Sequence, residues 1–272
     1  MLPKRTLGTT GMDVSILGLG TVKLGRNTGV KYPQGFTLPN DREARQLIDI
    51  AREQGINLID TAPAYGTSEE RLGTLLKDQR QDWLICTKVG EEFVDGRSTF
   101  NFTPEHTRIS VERSLRRLNT DVLDIVLIHS DGNDTDILRH YGTLEALADL
   151  KAEGKIRATG MSTKTLAGGL LAAEQTDIVM VTWNAHYNDD LPIIDYCQKH
   201  NKGVLIKKAL ASGHCIVPSN TATDAITDPV TRAFKTIFTH PGVNSAIVGT
   251  INPAHLLANI AAAQDNAVAN LA

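Results

Sequence analysis

The chain has 272 residues, 41% of them apolar, and a formal net charge of -3 with both signs spread along its length. That is enough to bury one sizeable core and short for two ordinary domains, and it supplies neither the basic footprint of a nucleic-acid binder nor a polybasic membrane patch. No apolar run approaches the roughly 20 residues of a membrane helix, and the start, Met1-Leu-Pro-Lys-Arg, lacks a signal peptide's apolar stretch, so a cytoplasmic location is expected.

The opening reads as a β-hairpin: Lys4 to Leu7, a turn near Gly8 to Gly11, then Asp13 to Ile16. The first apolar strand, Leu17 to Gly20, leads into Gly18-Leu-Gly20-Thr-Val-Lys23, which imitates a dinucleotide-binding fingerprint. The third glycine is missing, and Gly25, Gly29, Pro33 and Pro39 oppose a helix there, so Val22 to Asn40 is read as a loop. Apolar strands and amphipathic helices then alternate. The strands are Ile56 to Asp60, Leu84 to Lys88, Val122 to His129, Arg157 to Met161, Ile178 to Val181, Val204 to Lys207 and Ser245 to Val248. The helices are Asp41 to Gln54, Ser68 to Lys77, Pro104 to Leu118, Ile137 to Ala152, Lys164 to Ala173, Leu191 to Lys199, Pro229 to Phe238 and Pro253 to Ala263. Thr103-Pro104-Glu105 and Asn252-Pro253 carry the start signal of a capping side chain before a proline.

Eight strand-helix units without a linker predict one α/β domain over 1–272, a closed (β/α)8 TIM barrel with an N-terminal β-hairpin, because closure removes the edges eight parallel strands would expose. Val22 to Asn40, Val89 to Thr103 and Ala209 to Asp228 lack clear periodicity and all follow strands, on the face where such barrels place chemistry. Cys86, Cys197 and Cys215 are odd in number and widely spaced, which suggests reduced thiols and neither disulfides nor zinc. His186, His214 and His240 show no metal-ligand spacing, so no metal site is expected. Asp131, Asp134 and Asp136 read as a solvated loop and helix cap.

Three successive strands end on polar residues. Alternation puts Ile56, Leu58 and Asp60 on one face, as it does Leu84, Cys86 and Lys88, and Ile125, Leu127 and His129. Neighbouring strands lie about 4.8 Å apart, so Asp60 and Lys88 can touch and His129 lies across the mouth. A plain buried ion pair is the blander reading, but such pairs give doubtful net stability, and function explains them better. Asp60-Thr-Ala-Pro-Ala-Tyr65 delivers a tyrosine five residues after the acid. An ammonium near 4 Å from its hydroxyl favours the phenolate by up to about 4 kcal/mol at an effective dielectric of 20, an upper bound that Asp60 reduces. Tyr65 then reads as a proton donor, with His129 as a second donor to a substrate oxygen.

These residues resemble the aldo-keto reductase superfamily over essentially the whole chain. The motif Asp-Thr-Ala-x-x-Tyr-Gly stands as Asp60 to Gly66, the lysine as Lys88 in Thr-Lys-Val-Gly, and the histidine as His129 in Asp-Ile-Val-Leu-Ile-His. The resemblance implies reduction of an aldehyde or ketone to an alcohol by hydride from a nicotinamide cofactor across the barrel mouth, with Asp60, Tyr65, Lys88 and His129 catalytic and Tyr65 the general acid. It places Gly20, Thr21, Asp60, Ser162, Thr163, Trp183, Gly249, Thr250, Asn252, His255 and Asn259 at the cofactor, Trp183 as an aromatic surface for the ring. The family's asparagine after the fifth strand is Thr163 here, and its sixth-strand glutamine is Met180. Gly249 and His255 stand where the family often grips the 2'-phosphate with lysine or arginine; Thr250, Asn252 and the following helix's first amides could hold it instead. NADP (NADPH) is set ahead of NAD on the family's habit. Lys207 and Lys208 after the seventh strand are candidates for the pyrophosphate, with solvated or paired lysines the equal alternative.

The expected partner is a small carbonyl or sugar substrate. Two other readings stand beside carbonyl reduction: a sugar or alcohol dehydrogenase working in the oxidative direction, and a cofactor-binding regulatory subunit with little turnover. The chain ends at Ala272 without the long tail that closes the pocket in some relatives. A more open pocket is expected, or one closed by Ala209 to Asp228 or a neighbouring subunit.

Overall fold

In a computed structural model that describes residues 1–30, 32–216 and 228–268, strands and helices alternate along the chain. β1 (Lys4–Thr6) and β2 (Asp13–Ser15) pair as an antiparallel hairpin with Lys4 opposite Ser15. β3 (Leu17–Gly20), β4 (Leu58–Asp60) and β5 (Leu84–Val89) follow, then a second hairpin of β6 (Glu91–Val94) and β7 (Arg97–Phe100). β8 (Leu123–His129), β9 (Ile156–Ser162), β10 (Ile178–Thr182), β11 (Gly203–Lys207) and β12 (Ser245–Val248) complete the set. β3, β4, β5 and β8 to β12 close a parallel barrel in chain order, sealed where Ala246 of β12 pairs with Leu17 of β3.

The helices are α1 (Val22–Gly25), α2 (Asp41–Glu53), α3 (Ser68–Leu75), α4 (Pro104–Arg117), α5 (Asp134–His140), α6 (Thr143–Ala152), α7 (Leu166–Gln175), α8 (Leu191–Lys199), α9 (Pro229–Thr239) and α10 (Pro253–Val268). Their starts follow local chemistry. Asn40 and Glu43 each accept from the other's backbone N–H in a capping box at α2, and Thr103 caps α4 ahead of Pro104.

Strand alternation divides the core. Leu58, Cys86, Ile125, Leu127, Ala158, Ile178, Met180 and Leu205 fill the barrel, and Leu7, Met12 and Val14 of the N-terminal hairpin close its floor. Ile59, Ile85, Val126, Ile128, Val179 and Val204 face the helices, meeting Leu47, Ile48, Leu72 and Val111. Ile56 belongs to this outer layer, not to the inner row with Leu58 and Asp60, because β4 begins only at Leu58 and strand alternation does not reach back to it.

Three further segments differ from expectation, the first being the short helix α1 (Val22–Gly25), which opens inside the stretch expected as a loop. The helix expected over Ile137 to Ala152 is two helices, broken at Gly142, whose φ of 75° is left-handed and where a Cβ would lie 2.8 Å from Pro104 Cγ. Val89 to Thr103 contains β6 and β7, joined through Asp95 and Gly96, both at positive φ. Residues 217–227, within the Ala209 to Asp228 stretch expected to border the pocket, lie outside the described residues. Among the described residues, no helix is long and apolar enough to cross a membrane.

The hairpin floor gives a first prediction. Leu7 is fully buried against barrel-lining side chains, so Leu7→Ala should cost about 2–5 kcal/mol, the usual range for emptying a tight core position. Urea unfolding of the purified variant reads this directly, and a loss under about 1 kcal/mol would mean that the hairpin is not part of the core.

Candidate active site

The polar strand ends converge at the barrel's open end. Thr21, immediately after β3, donates to the Asp60 carbonyl through both its N–H (3.0 Å) and its hydroxyl (2.9 Å), which fixes the end of β4. Pro63 then opens a short 3₁₀ turn over Pro63–Tyr65, and Gly66 at φ 63° turns the chain back. A Cβ on Gly66 would lie 2.2 Å from the Gly25 carbonyl oxygen, so this turn admits no side chain. The turn brings the Tyr65 ring over Lys88, whose Nζ lies 4.8 Å from the ring centroid. Lys88 Nζ donates to Asp60 Oδ1 at 2.5 Å and to the Thr61 carbonyl at 2.8 Å, with the lysine side chain only 1% exposed.

Burial opposes a charge on Lys88, but the Asp60 carboxylate reverses that, and the ammonium holds its proton above the usual lysine range. For Tyr65 the balance differs from the sequence expectation. Loss of water around the phenol and the negative Asp60 outweigh the attraction of Lys88, so Tyr65 holds its proton more tightly than a free phenol. Lys88 limits that rise without reversing it. An alkoxide, about as basic as hydroxide, still takes a proton from such a phenol.

His129 ends β8, its ring edge-on to Tyr65 with centroids 6.3 Å apart. Burial, reinforced by Lys88 and Lys207, lowers its pKa below the usual imidazole value despite the Glu91 carboxylate. Glu91 was not expected from the sequence. It opens β6 and sets Oε2 2.9 Å from His129 Nδ1.

Register continues the polar ring: His129 lies opposite Ser162 at the end of β9, and Ser162 opposite Met180 of β10. Lys207, ending β11, donates to Ser162 Oγ at 2.9 Å and to the Thr163 carbonyl at 2.6 Å. Burial and nearby Lys208 lower the Lys207 pKa to about 7. Thr163 Oγ1 is buried without a partner among the described residues.

The remaining expected cofactor residues divide. Gly20 and Gly249 are neighbours, since a Cβ on Gly20 would lie 3.6 Å from Gly249 Cα, and Tyr32 Oη lies 3.5 Å from where a Cβ on Gly249 would stand. The Thr21 hydroxyl is committed to Asp60 and Ser68. Trp183 is packed in the layer between barrel and helices, edge-on to His240 at 5.6 Å, and keeps only 7% of its surface exposed, little for a stacked ring. Thr250 Oγ1 accepts from the Asn252 N–H, and Asn252 Oδ1 accepts from Ala254 and His255 N–H, so those helix amides are already partnered. His255 is exposed, whereas Asn259 is buried on α10. Among the described residues, no three His, Cys, Asp or Glu side chains gather to hold a metal ion.

Known proteins share this architecture. A sequence model of the Aldo/keto reductase family matches residues 16–232. A Pseudomonas aeruginosa crystal structure, described as an aldo-keto reductase, superposes with a TM-score of 0.86 at 52% identity, covering 97% of this chain and 94% of that one. The L-galactose dehydrogenase of Arabidopsis thaliana is 32% identical over 77% of this chain and 66% of its own length. The NADH-specific methylglyoxal reductase of Escherichia coli is 35% identical over 58% of this chain and 51% of its own length. The chain thus spans about half to two thirds of the length of these curated relatives.

The Asp60–Lys88 pair carries its own prediction. Asp60→Asn leaves a buried ammonium without its partner and should cost about 3–5 kcal/mol at pH 7. In the wild type the folded pKa of Lys88 lies above its unfolded value, so the pair's contribution is fully present below about pH 10 and is lost only as pH rises further. In the variant burial alone acts and lowers the folded value, so stability should climb between pH 7 and about pH 10 where the wild type stays flat. Urea unfolding across that range checks the sign, and parallel curves would contradict the pairing.

Proposed function

The chain belongs to the aldo/keto reductase family, and from that premise we propose that it reduces an aldehyde or ketone to an alcohol with a nicotinamide cofactor, Tyr65 serving as general acid. The observation that carries this reading is Lys88, bonded to Asp60 at 2.5 Å directly beneath the Tyr65 ring with His129 alongside. A buried cation under a phenol has its greatest effect when the phenol gives up its proton, because it stabilises the phenolate that remains.

The residues present fit a nicotinamide cofactor. The Ser162 hydroxyl, held by Lys207 at the end of β9, offers a partner for a carboxamide, whereas the Thr163 hydroxyl is buried beside Gly169 of α7. The bare backbone at Gly249, where a Cβ would meet nothing nearer than 3.5 Å, allows close approach of an extended chain, while the bareness of Gly20 accommodates Ile247. The cofactor supplies the hydride when bound. Tyr65 holds the proton for the developing alkoxide, and Asp60 keeps Lys88 charged and in place. Burial keeps water from Asp60 and Lys88, which strengthens their interaction.

NADPH stays ahead of NADH in this reading, with Thr250 and His255 as the side chains offered to a 2'-phosphate. Neither is a fixed cation, and the Escherichia coli relative is named for NADH, so the two cofactors are to be compared by fluorescence titration. A second reading, oxidation of a sugar or alcohol with Tyr65 as base, draws on the relative named L-galactose dehydrogenase. It uses the same four residues in reverse.

Tyr65→Phe should remove at least about 99% of turnover while leaving cofactor affinity within about twofold, the signature of a lost general acid. Steady-state oxidation of NADPH with an aldehyde panel, alongside cofactor titration, measures both. Retention of more than roughly a tenth of the rate would contradict the role of Tyr65. Cofactor binding by the wild type without turnover of any carbonyl or sugar would point to a binding subunit.

A further inference from the structure

Lys207 brings to the mouth a cation that the four-residue site does not use. It ends β11, opposite Thr182 of β10, and its half-buried side chain reaches past β10 to the end of β9. There Nζ donates to Ser162 Oγ at 2.9 Å and to the Thr163 carbonyl at 2.6 Å. The β10 residue opposite Ser162 is Met180, which has no side-chain donor to take this place. Both partners of Lys207 are neutral oxygens, so among the described residues its charge has no ion-pair partner. Lys88, by contrast, is compensated by Asp60 at 2.5 Å.

We propose that Lys207 determines which oxidation state of the nicotinamide cofactor this chain prefers: its ammonium, bonded to the hydroxyl offered to the carboxamide, disfavours the positively charged oxidised ring and leaves the neutral reduced ring as the better ligand. The inference rests on the nicotinamide reading above and extends it to the form that is held. A carboxamide is attached directly to its ring, so one partnered by Ser162 brings the ring close to whatever else is bonded to the same Oγ. The two forms of the cofactor share their phosphates, riboses and adenine and differ by a hydride, which leaves one positive charge on the oxidised ring and none on the reduced ring. An ammonium without a counter-charge repels the first and not the second, and partial burial removes some of the water that would screen the repulsion. Reduced cofactor is then taken up and oxidised cofactor let go, which suits carbonyl reduction and opposes the oxidative reading.

The charge on Lys207 also depends on pH. Burial, the adjacent Lys208 and the more distant Lys164 act against its proton, while the carboxylates of Asp190, just before α8, and Asp134, opening α5, favour it, and the balance leaves a pKa of about 7. His129 faces Lys207 across the mouth, and its imidazole, held below the usual value, is already mostly neutral at pH 7. The Lys207 ammonium is therefore present below about pH 7 and is lost as pH rises further, and the preference for the reduced ring goes with it.

Affinity tests this without turnover. Calorimetric titration of the full chain with NADPH and NADP+, and with NADH and NAD+, gives the ratio of reduced to oxidised affinity, and groups that touch only the shared phosphates act on both forms alike and drop out of it. In the wild type that ratio should fall about tenfold between pH 6 and pH 9, the effect of losing one proton from a site of pKa about 7. Lys207→Met should show the low ratio at both ends of the range, and Lys207→Arg, which stays charged throughout, the high ratio at both. Circular dichroism confirms that each variant folds, and the wild-type curve needs neither. A flat wild-type ratio, or one unchanged at pH 6 by Lys207→Met, overturns the proposal while leaving the nicotinamide reading in place. Failure of all four nucleotides to bind the wild type overturns that reading and the proposal with it.

Discussion

The architecture of the mouth depends on keeping one ammonium charged in a place from which water is shut out. Lys88 is 1% exposed at the end of β5, where burial alone would strip its proton, and the Asp60 carboxylate on the neighbouring strand prevents that. An ion pair so deep contributes little to stability once desolvation is counted. What it supplies is a fixed positive charge under the Tyr65 ring, and the surrounding backbone is arranged to hold it. Thr21 ties β3 to the Asp60 carbonyl, the Thr61 carbonyl takes a second Lys88 hydrogen, and the side-chain-free turn at Gly66 sets the phenol overhead.

The phenol illustrates how burial and charge compete. From beneath the ring Lys88 favours the phenolate, yet withdrawal from water and the negative Asp60 together act more strongly, and the net effect is a tyrosine that keeps its proton. Such a group is a reserve acid, inert towards water and weak bases, and it yields only to a partner as basic as an alkoxide.

Much of this was legible in the sequence. Strands that bury both faces are continuous apolar runs with capped helices between them, so eight units and their order could be read. A period of two also placed Asp60, Lys88 and His129 on inward-facing rows. What escaped notice did so for physical reasons. β6 and β7 are largely exposed and polar, so no apolar alternation marks them, although Asp95-Gly96 is a recognisable hairpin turn. With the hairpin went Glu91, whose meeting with His129 depends on a fold-back that adjacent sequence does not announce. Gly142 lies within an otherwise helical pattern, and Pro104, which stands where its Cβ would go, is far away in the chain. Trp183 matched an aromatic position in pattern, but its ring turns to the outer layer beside His240, a packing choice made by tertiary neighbours.

The seam between β12 and β3 bears on how the molecule comes into being. Leu17 finds its partner only in Ala246, so the cylinder stays an open, curling sheet with two bare margins while nearly all of the polypeptide is being synthesised. Every other neighbouring pair of barrel strands joins segments that follow one another in the chain, and these contacts can form as the chain emerges. The final pairing alone spans the full length, and until it occurs the inner side chains and the margins are open to other nascent chains, which makes this late closure the step most vulnerable to aggregation.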